Sequence, residues 1–443
     1  SFYPRLMLGE FFPDQYLWLL ERSRERGIAI GTYENCEVAD IDVQAAGVLV
    51  SAPCLASAQR YDRVVIATGH VWPDASEATR SYYPSPWSGL VDAAIPAKRI
   101  GILGTSLSAI DAAMAVAVQH GTFIIDERNE VRFDLDPGSE ALAITLMSRS
   151  GVLPEADFYC PIPYEPLAIA TPEAIASEIE TGPDGLLDRV FALAAMEIEN
   201  ADPEYARRVD LAMRNADDIA EAYFADRKAH DPFRWAAYNL AVVEQNKAEK
   251  HTVAWRYAIL RLHEPVAQIV EHLTEADRER FDQGLRNVFV DNYAAVPSQS
   301  IRRLLALRRA GVIDLLDMGN DYTKRIEETS TIISIDGTDY RYDVFIDARG
   351  QRPLKSKDLP FPSLRTLLET EGDDIPDVGE DYALLAPDIA RGRVSFGALP
   401  YLIHDNPFIQ GITASAEIGH AIGTSVADGE RRARRKIAYI DWY

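Results

Sequence analysis

The feature that most constrains the fold is a short segment that occurs twice. Tyr61-Asp62-Arg63-Val64-Val65-Ile66-Ala67-Thr68-Gly69 aligns without gaps with Tyr342-Asp343-Val344-Phe345-Ile346-Asp347-Ala348-Arg349-Gly350. Each copy reads as an apolar strand that runs into a glycine, which lets the backbone turn sharply and approach a ligand closely. Val64 to Ala67 is apolar without alternation, the pattern of a strand buried on both faces. Two such copies on either side of a strand–turn–helix signal predict two nucleotide-binding domains, one inserted in the other.

The bracketed signal is Ile100 to Ala109, IGILGTSLSA. A buried strand, a glycine turn and an immediate small-residue helix are what a pyrophosphate site requires. The first helical N–H groups point at the phosphates, and the helix N-terminus favours negative charge. Gly104 is expected to make the tight turn, with Thr105, Ser106 and Leu107 at the phosphates and Ala109 letting the helix sit close to the sheet. Ser106 stands where the usual fingerprint has its second glycine. The strand expected to reach the adenosine ribose is Leu142 to Met147, followed by Ser148 and Arg149. No Asp or Glu ends this strand, so Arg149 is the candidate for the 2′-phosphate of NADP, with Ser148 beside it. The segment lies well beyond the usual ~20 residues from the turn. An inserted hairpin, Phe123 to Ile125 with Val131 to Phe133, accounts for the excess.

Elsewhere, residues 13 to 26 read as an amphipathic helix stopped at Gly27, followed by short strands at Ile28 to Ile30, Val38 to Val43 and Val48 to Val50. From about 170 to 312 the chain becomes Ala-rich and charged with helical spacing. Strand signals return at Thr331 to Ile335 and Val344 to Ile346.

Composition narrows the partners. Lys plus Arg number 45 against 69 Asp plus Glu, a net charge of −24. Phosphate-backbone binding needs basic patches, so nucleic acid is not expected as a partner, nor is an anionic membrane surface. No apolar run approaches the ~18 residues of a transmembrane helix. The three cysteines, Cys36, Cys54 and Cys160, make neither a disulfide framework nor a zinc spacing. The expected compartment is a reducing cytoplasm, with no metal. The first residues, Ser1 to Arg5, read as neither a signal peptide nor a start. Gly-x-Ser-x-Gly, His-Glu-x-x-His and Walker sequences are lacking, which gives hydrolase and phosphoryl-transfer readings little support.

YDRVVIATGH, then Tyr82-Tyr83-Pro84-Ser85-Pro86-Trp87, IGILGTSLSAID and SRSGVLP together resemble the FAD/NAD(P)-binding oxidoreductases related to class B flavoprotein monooxygenases, including the amine N-hydroxylases. Gly397 to Pro400 and Asn406 to Thr413 resemble that family's closing flavin segment, and Arg5 to Phe11 resembles a stretch well inside its FAD domain. The likeness covers roughly 1–165 and 285–425. It implies an α/β fold of two interleaved Rossmann-like dinucleotide-binding domains with a large helical insertion. An FAD-binding part would occupy 1–97, an NADP-binding domain 98–353 with its helical insertion at about 170–312, and the FAD-binding return segment 354–443. The family's first FAD βαβ unit has no counterpart in the sequence, so a missing N-terminal segment is expected.

The implied activity is that of an FAD- and NADPH-dependent monooxygenase. A flavin C4a-(hydro)peroxide would oxygenate a small substrate, with O₂ as co-substrate and N-hydroxylation of an amine or amino acid as one form. A flavin-dependent NAD(P)H reductase without oxygen transfer and a non-catalytic nucleotide-binding partner are the alternatives. The resemblance implies cofactor contacts at Thr68, Gly69, His70, Gly350, Phe408, Gln410, Gly411 and Ile412. No side chain is singled out as catalytic, since the flavin carries the redox step. Lys247, Arg256 and His404 are candidates for substrate contact, against a solvated helix face for Lys247 and Arg256. Arg302, Arg303, Arg308 and Arg309 read as a solvated basic stripe. Whether copies of the chain associate is left open.

Overall fold

The computed structural model describes residues 5–440 except 72, 74, 91, 129, 351, 352, 371, 373, 405 and 410. The chain begins with α1 (Arg5–Glu25), the hairpin β1 (Asp40–Gln44) and β2 (Gly47–Ser51), then β3 (Gln59–Tyr61), β4 (Val64–Ile66) and β5 (Tyr82–Tyr83). Strand β6 (Arg99–Leu103) opens into α2 (Leu107–Ala117), followed by β7 (Gly121–Ile125), β8 (Val131–Leu135) and β9 (Ala143–Ser148). A helical stretch follows: α3 (Pro172–Thr181), α4 (Leu186–Ala201), α5 (Pro203–Arg208), α6 (Ile219–Lys228), α7 (Pro232–Glu249), α8 (Ala254–Ala267), α9 (Glu275–Gln283), α10 (Leu285–Tyr293) and α11 (Ser298–Arg309). Strands β10 (Ile313–Asp317), β11 (Tyr322–Ile326), β12 (Thr331–Ile335), β13 (Thr338–Tyr342) and β14 (Val344–Asp347) return to the sheets. Helix α12 (Pro362–Thr370), strand β15 (Val394–Phe396) and helix α13 (Gly411–Ile440) complete the order.

Two compact units result. One comprises Ser1–Gly69, Pro353–Tyr401 and Gln410–Tyr443; the other comprises His70–Arg352 and Leu402–Ile409. Residues 70–97, expected to go with the first domain, instead contribute β5 to the second unit, where it pairs with β14.

The second unit is built on a five-stranded sheet in the order β10-β9-β6-β14-β5, every neighbouring pair parallel. The central strands β6, β9 and β14 are mostly apolar because both of their faces are covered, whereas the edge strand β10 carries Asp314 and Asp317. Ile100, Ile102, Ile144, Leu146, Val344 and Ile346 are buried together with Ile110, Ala113 and Val116 of α2 and Leu304 and Leu307 of α11. The expected hairpin β7/β8 is present and antiparallel.

The helical stretch is punctuated by its own sequence. Thr171, Asp202, Asp231 and Thr274 each accept a backbone N–H from the first turn of the following helix, and Pro172, Pro203 and Pro232 stand inside the first turn. A capping side chain satisfies one of the orphan donors, and proline costs nothing where no helical bond is made. Val190, Phe191, Leu262, Phe281 and Phe289 form its core, joined by Phe408.

The first unit departs most from expectation. Helix α1 starts earlier and runs through Pro13, and Phe11, Leu17, Trp18 and Leu19 are about half exposed. It is not amphipathic, because its apolar residues lie on all sides. Ile28 to Ile30 forms no strand and is exposed. Among the described residues strand β4 pairs only with β15, in a two-stranded parallel sheet, and Val65 is 44% exposed. Burial on both faces is therefore not realised, since two strands leave edge and face open. The two copies of the repeat thus lie in different sheets. Both end in glycines with positive φ, +70° at Gly69 and +85° at Gly350.

Cys36 and Cys54 form a disulfide with Cα atoms 5.5 Å apart. The sparse cysteine count pointed the other way. The hairpin makes the difference: Ala39 N–H donates to Ser51 O at 2.7 Å, extending the β1–β2 ladder toward both cysteines. The argument from cysteine usage for a reducing compartment falls with it.

Candidate functional site: the cleft at the ends of β6 and β14

Strand β6 lies between β9 and β14. The chain leaves it through α2 toward β9 and β10 on one side, and returns much later to β14 on the other. A sheet that reverses direction in this way opens a crevice at the carboxyl ends of its strands, where ligands of doubly wound sheets bind. A cleft of about 400 Å³ lies there. Ser108 of α2 and Asp347, Arg349 and Gly350 beyond β14 form one part of its lining, and Ser85, Pro86 and Trp87 beyond β5 another.

The glycine turn has the shape the sequence required. Gly104 has φ +132°, and a Cβ there would stand 3.0 Å from the Ala348 carbonyl and 3.3 Å from the Ala109 methyl. Its N–H donates to Met147 O at 2.7 Å, while Ala348 N–H donates to Leu103 O at 2.9 Å. The turn is thus pinned to β9 on one side and to the end of β14 on the other. Ser106 is the N-cap of α2, and its side chain makes no capping bond. The helix N-terminus keeps unsatisfied N–H groups that point along its axis.

Beside the turn, Ser148 ends β9, its hydroxyl accepting from Gly151 N–H at 3.2 Å, and Arg149 follows, exposed. A carboxylate is closer than the sequence indicated. Asp317 ends β10 directly opposite Ser148 in the ladder. No acid ends β9 itself, but the next strand supplies one.

At the other end of the cleft, Asp347 accepts a bidentate pair from Arg349, Nε to Oδ1 at 2.9 Å and Nη2 to Oδ2 at 2.8 Å. Lys324 of β11 donates to Asp347 Oδ2 at 3.3 Å and to the Tyr82 hydroxyl at 3.2 Å. Burial alone would raise the Asp347 carboxyl; the bonds and charges of Arg349 and Lys324 outweigh it and hold the group below the usual carboxylate range.

The structure therefore gathers Gly104, Thr105, Ser106, Leu107, Ser148, Arg149 and Gly350 along one edge of one sheet. The remaining candidates lie elsewhere. Thr68, Gly69, Gly411 and Ile412 belong to the first unit, and His70 and the half-buried His404 to the second. Gln410 lies outside the described residues, as does Asp405, the neighbour of His404. Phe408 is buried in the helical core, its ring within about 6 Å of Phe281, Phe289, Tyr293 and His263, so its side chain packs.

Arg256 is corrected on both readings. It is 4% exposed, neither solvated nor open to a substrate. Its Nη1 meets Glu155 Oε2 at 2.8 Å, and its guanidinium lies 4.4 Å from the Phe158 ring centroid. Lys247 pairs with Asp157 at 3.3 Å. The basic stripe is structural too. Arg302 pairs with Glu244, Arg303 lies over the Phe123 ring, Arg308 pairs with Asp314, and Arg309 donates to Val131 O. Sequence reasoning missed Ser108, Asp347, Arg349 and Lys324. A signal existed for two of them: at Asp347 and Arg349 the repeat has Ile66 and Thr68 in its first copy.

A family model described as the YdhS-like middle domain matches residues 171–293. Over 439 residues the chain is 57% identical to protein YdhS of Escherichia coli (strain K12), a match covering 99% of this chain and 82% of that protein. The chain belongs to the YdhS family. Among solved structures it is similar to a Kutzneria sp. 744 ornithine N-hydroxylase whose title names reduced FAD, NADP⁺ and L-ornithine, at 14% identity and a TM-score of 0.42, covering 92% of this chain and 74% of that one. It is also similar to an ε-caprolactone-bound cyclohexanone monooxygenase, at 11% identity and a TM-score of 0.40, covering 94% and 73%. A Bacillus cereus bacillithiol disulfide reductase follows at 10% identity and a TM-score of 0.31, covering 92% and 77%. These likenesses are loose, and the reading of the site rests on the chain's own geometry. No helix among the described residues is long and apolar enough to cross a membrane, and none of them form a group of three or more metal ligands.

Proposed function

We propose that the chain is an NADPH-binding oxidoreductase that works with FAD, of the monooxygenase type, taking O₂ and a small substrate such as an amine or amino acid. The observation that carries the nucleotide half of this reading is the cleft at the β6–β14 reversal, with a glycine turn and the α2 N-terminus at its edge. The compact unit His70–Arg352, built on that sheet, would be the NADP-binding domain, and the unit of Ser1–Gly69, Pro353–Tyr401 and Gln410–Tyr443 the FAD-type domain.

The residues fit a nicotinamide dinucleotide. Gly104 carries no side chain that would block close approach, the N–H groups of Ser106 to Ser108 and the α2 dipole would hold a pyrophosphate, and the Ser106 hydroxyl is not engaged in capping. Arg149 offers charge to a 2′-phosphate. For FAD the fit is partial. Gly411 opens the 30-residue helix α13, whose N-terminal N–H groups suit a flavin pyrimidine edge. The described residues of the first unit hold no strand–glycine–helix turn for an FAD pyrophosphate, and no step through the flavin is derived from them.

The test is a titration of the purified protein with NADPH and NADH, for wild type and Arg149→Ala. A charge-assisted Arg–phosphate bond contributes about 1.5–3 kcal/mol, so NADPH affinity should fall roughly 10- to 150-fold and NADH affinity stay nearly unchanged. Equal losses for both nucleotides would remove Arg149 from the phosphate site. A colourless protein that retains no yellow absorbance after incubation with FAD and removal of the unbound flavin would remove the flavin.

A further inference from the structure

At Arg349 the second copy of the repeat carries a cation where Thr68 stands in the first. Asp347 likewise stands opposite Ile66, so the second copy carries a charge and its countercharge where the first carries neither. The pair has a defined geometry. Asp347 takes the Nε and Nη2 edge of the guanidinium and fixes its plane, leaving the Nη1 donors outside that bidentate contact. Lys324 holds the same carboxylate from β11 and is itself seated against the Tyr82 hydroxyl. Two cations and one carboxylate leave the cleft with a local surplus of positive charge in a chain whose net charge is −24. Such a chain repels anionic ligands at long range, so an anion that binds needs a local cation.

Position says which anion. Arg149 follows β9 and Arg349 follows β14, and β6 with its glycine turn lies between them. Strands neighbour one another at about 4.8 Å, so the ends of β9 and β14 are about 10 Å apart. A dinucleotide laid across these strand ends with its 2′-phosphate at Arg149 has its pyrophosphate over β6 and its nicotinamide half beside β14. We propose that Arg349, positioned by Asp347 and Lys324, binds the phosphate on the nicotinamide side of the dinucleotide. Arg149 serves the adenosine side alone. This rests on the dinucleotide reading above and divides its ligand between two arginines.

Half-molecules separate the two ends. The full chain is titrated with NADPH, with nicotinamide mononucleotide and with 2′,5′-ADP. Arg349→Gln should weaken NADPH and nicotinamide mononucleotide about 10- to 150-fold and leave 2′,5′-ADP within about twofold. Arg349→Lys keeps the charge without the fork and should lose less. Asp347→Asn should weaken the same two ligands, and its effect should largely vanish in the Arg349→Gln background, because Asp347 acts through Arg349. A uniform loss across all three ligands in variants of unchanged thermal midpoint would overturn the division, and so would an unchanged NADPH affinity. A wild-type chain that binds 2′,5′-ADP but neither nicotinamide ligand would refute Arg349's role while sparing the nucleotide cleft. A chain that binds none of the three would refute the cleft itself.

Discussion

Replacing Arg256 with methionine tests whether the helical insertion is held by a buried charge pair or presents a substrate cation. Arg256 and Glu155 are both buried, joined at 2.8 Å, and Glu155 Oε1 also accepts the Trp235 indole N–H at 2.9 Å. Burial pushes the Glu155 carboxyl up, but the Arg256 and Arg227 charges outweigh it and hold the group below its ordinary value. Removing Arg256 strands a buried carboxylate, which costs about 3–5 kcal/mol. At roughly 2–4 °C per kcal/mol for a unit of this size, the thermal midpoint should drop by about 6–20 °C. The loss depends on pH. In the wild type Glu155 contributes stability that is present above its unfolded pKa of ~4.3 and is lost as the pH falls through its lower folded value. In Arg256→Met the folded value is raised instead, so the deficit is widest near pH 7 and narrows toward pH 5. Adding Glu155→Leu should restore most of the stability, since well-packed apolar residues replace buried pairs at little net cost. Urea unfolding at pH 7 and pH 5 reads all three variants. A single-variant loss below about 1 kcal/mol, or a double variant as unstable as the single, would refute the reasoning.

Other consequences follow from the same geometry. Gly104→Ala places a methyl 3.0 Å from the Ala348 carbonyl at φ +132°; it should abolish measurable NADPH binding and lower the thermal midpoint, and an alanine variant with wild-type affinity would contradict the turn. Reduction of Cys36–Cys54 releases a loop spanning 18 residues and should cost about 3 kcal/mol on the chain-entropy account, seen as a lower midpoint with reductant and no such shift in Cys36→Ser. Asp347, held below the usual carboxylate range, should keep its ion pairs as the pH falls through the range where ordinary carboxylates protonate, so its contribution to stability is present at neutral pH and lost only in stronger acid. An Asp347→Asn deficit that did not shrink in acid would count against those pairs.

The β6–turn–α2 edge, proposed as the nucleotide site, was legible because each part is a local pattern: an apolar strand, a glycine that must adopt positive φ at 104, a small residue at 109 where the helix meets the sheet. The helices were legible for the same reason, through Thr171, Asp202 and Asp231 with the prolines that follow. What stayed hidden depends on contacts between distant segments. Glu155 and Arg256 meet only when a loop after β9 lies against α8, so Arg256 read as a surface charge. Lys324 reaches Asp347 from another sheet, and Asp317 stands beside Ser148 only through strand pairing. The apolar run at Val64 reads as fully buried, yet two strands cannot cover it. Spacing alone carried no hint that Cys36 and Cys54 would flank the open end of a hairpin.

The most direct test of the nucleotide cleft is amide hydrogen exchange of the full chain with and without saturating NADPH. Protection should rise at 104–108, at 148–149 and at 347–350, the three segments that end β6, β9 and β14, and rise less with 2′,5′-ADP at the last of them. NADPH binding that leaves all three segments unprotected, with protection confined to other parts of the chain, would contradict the account.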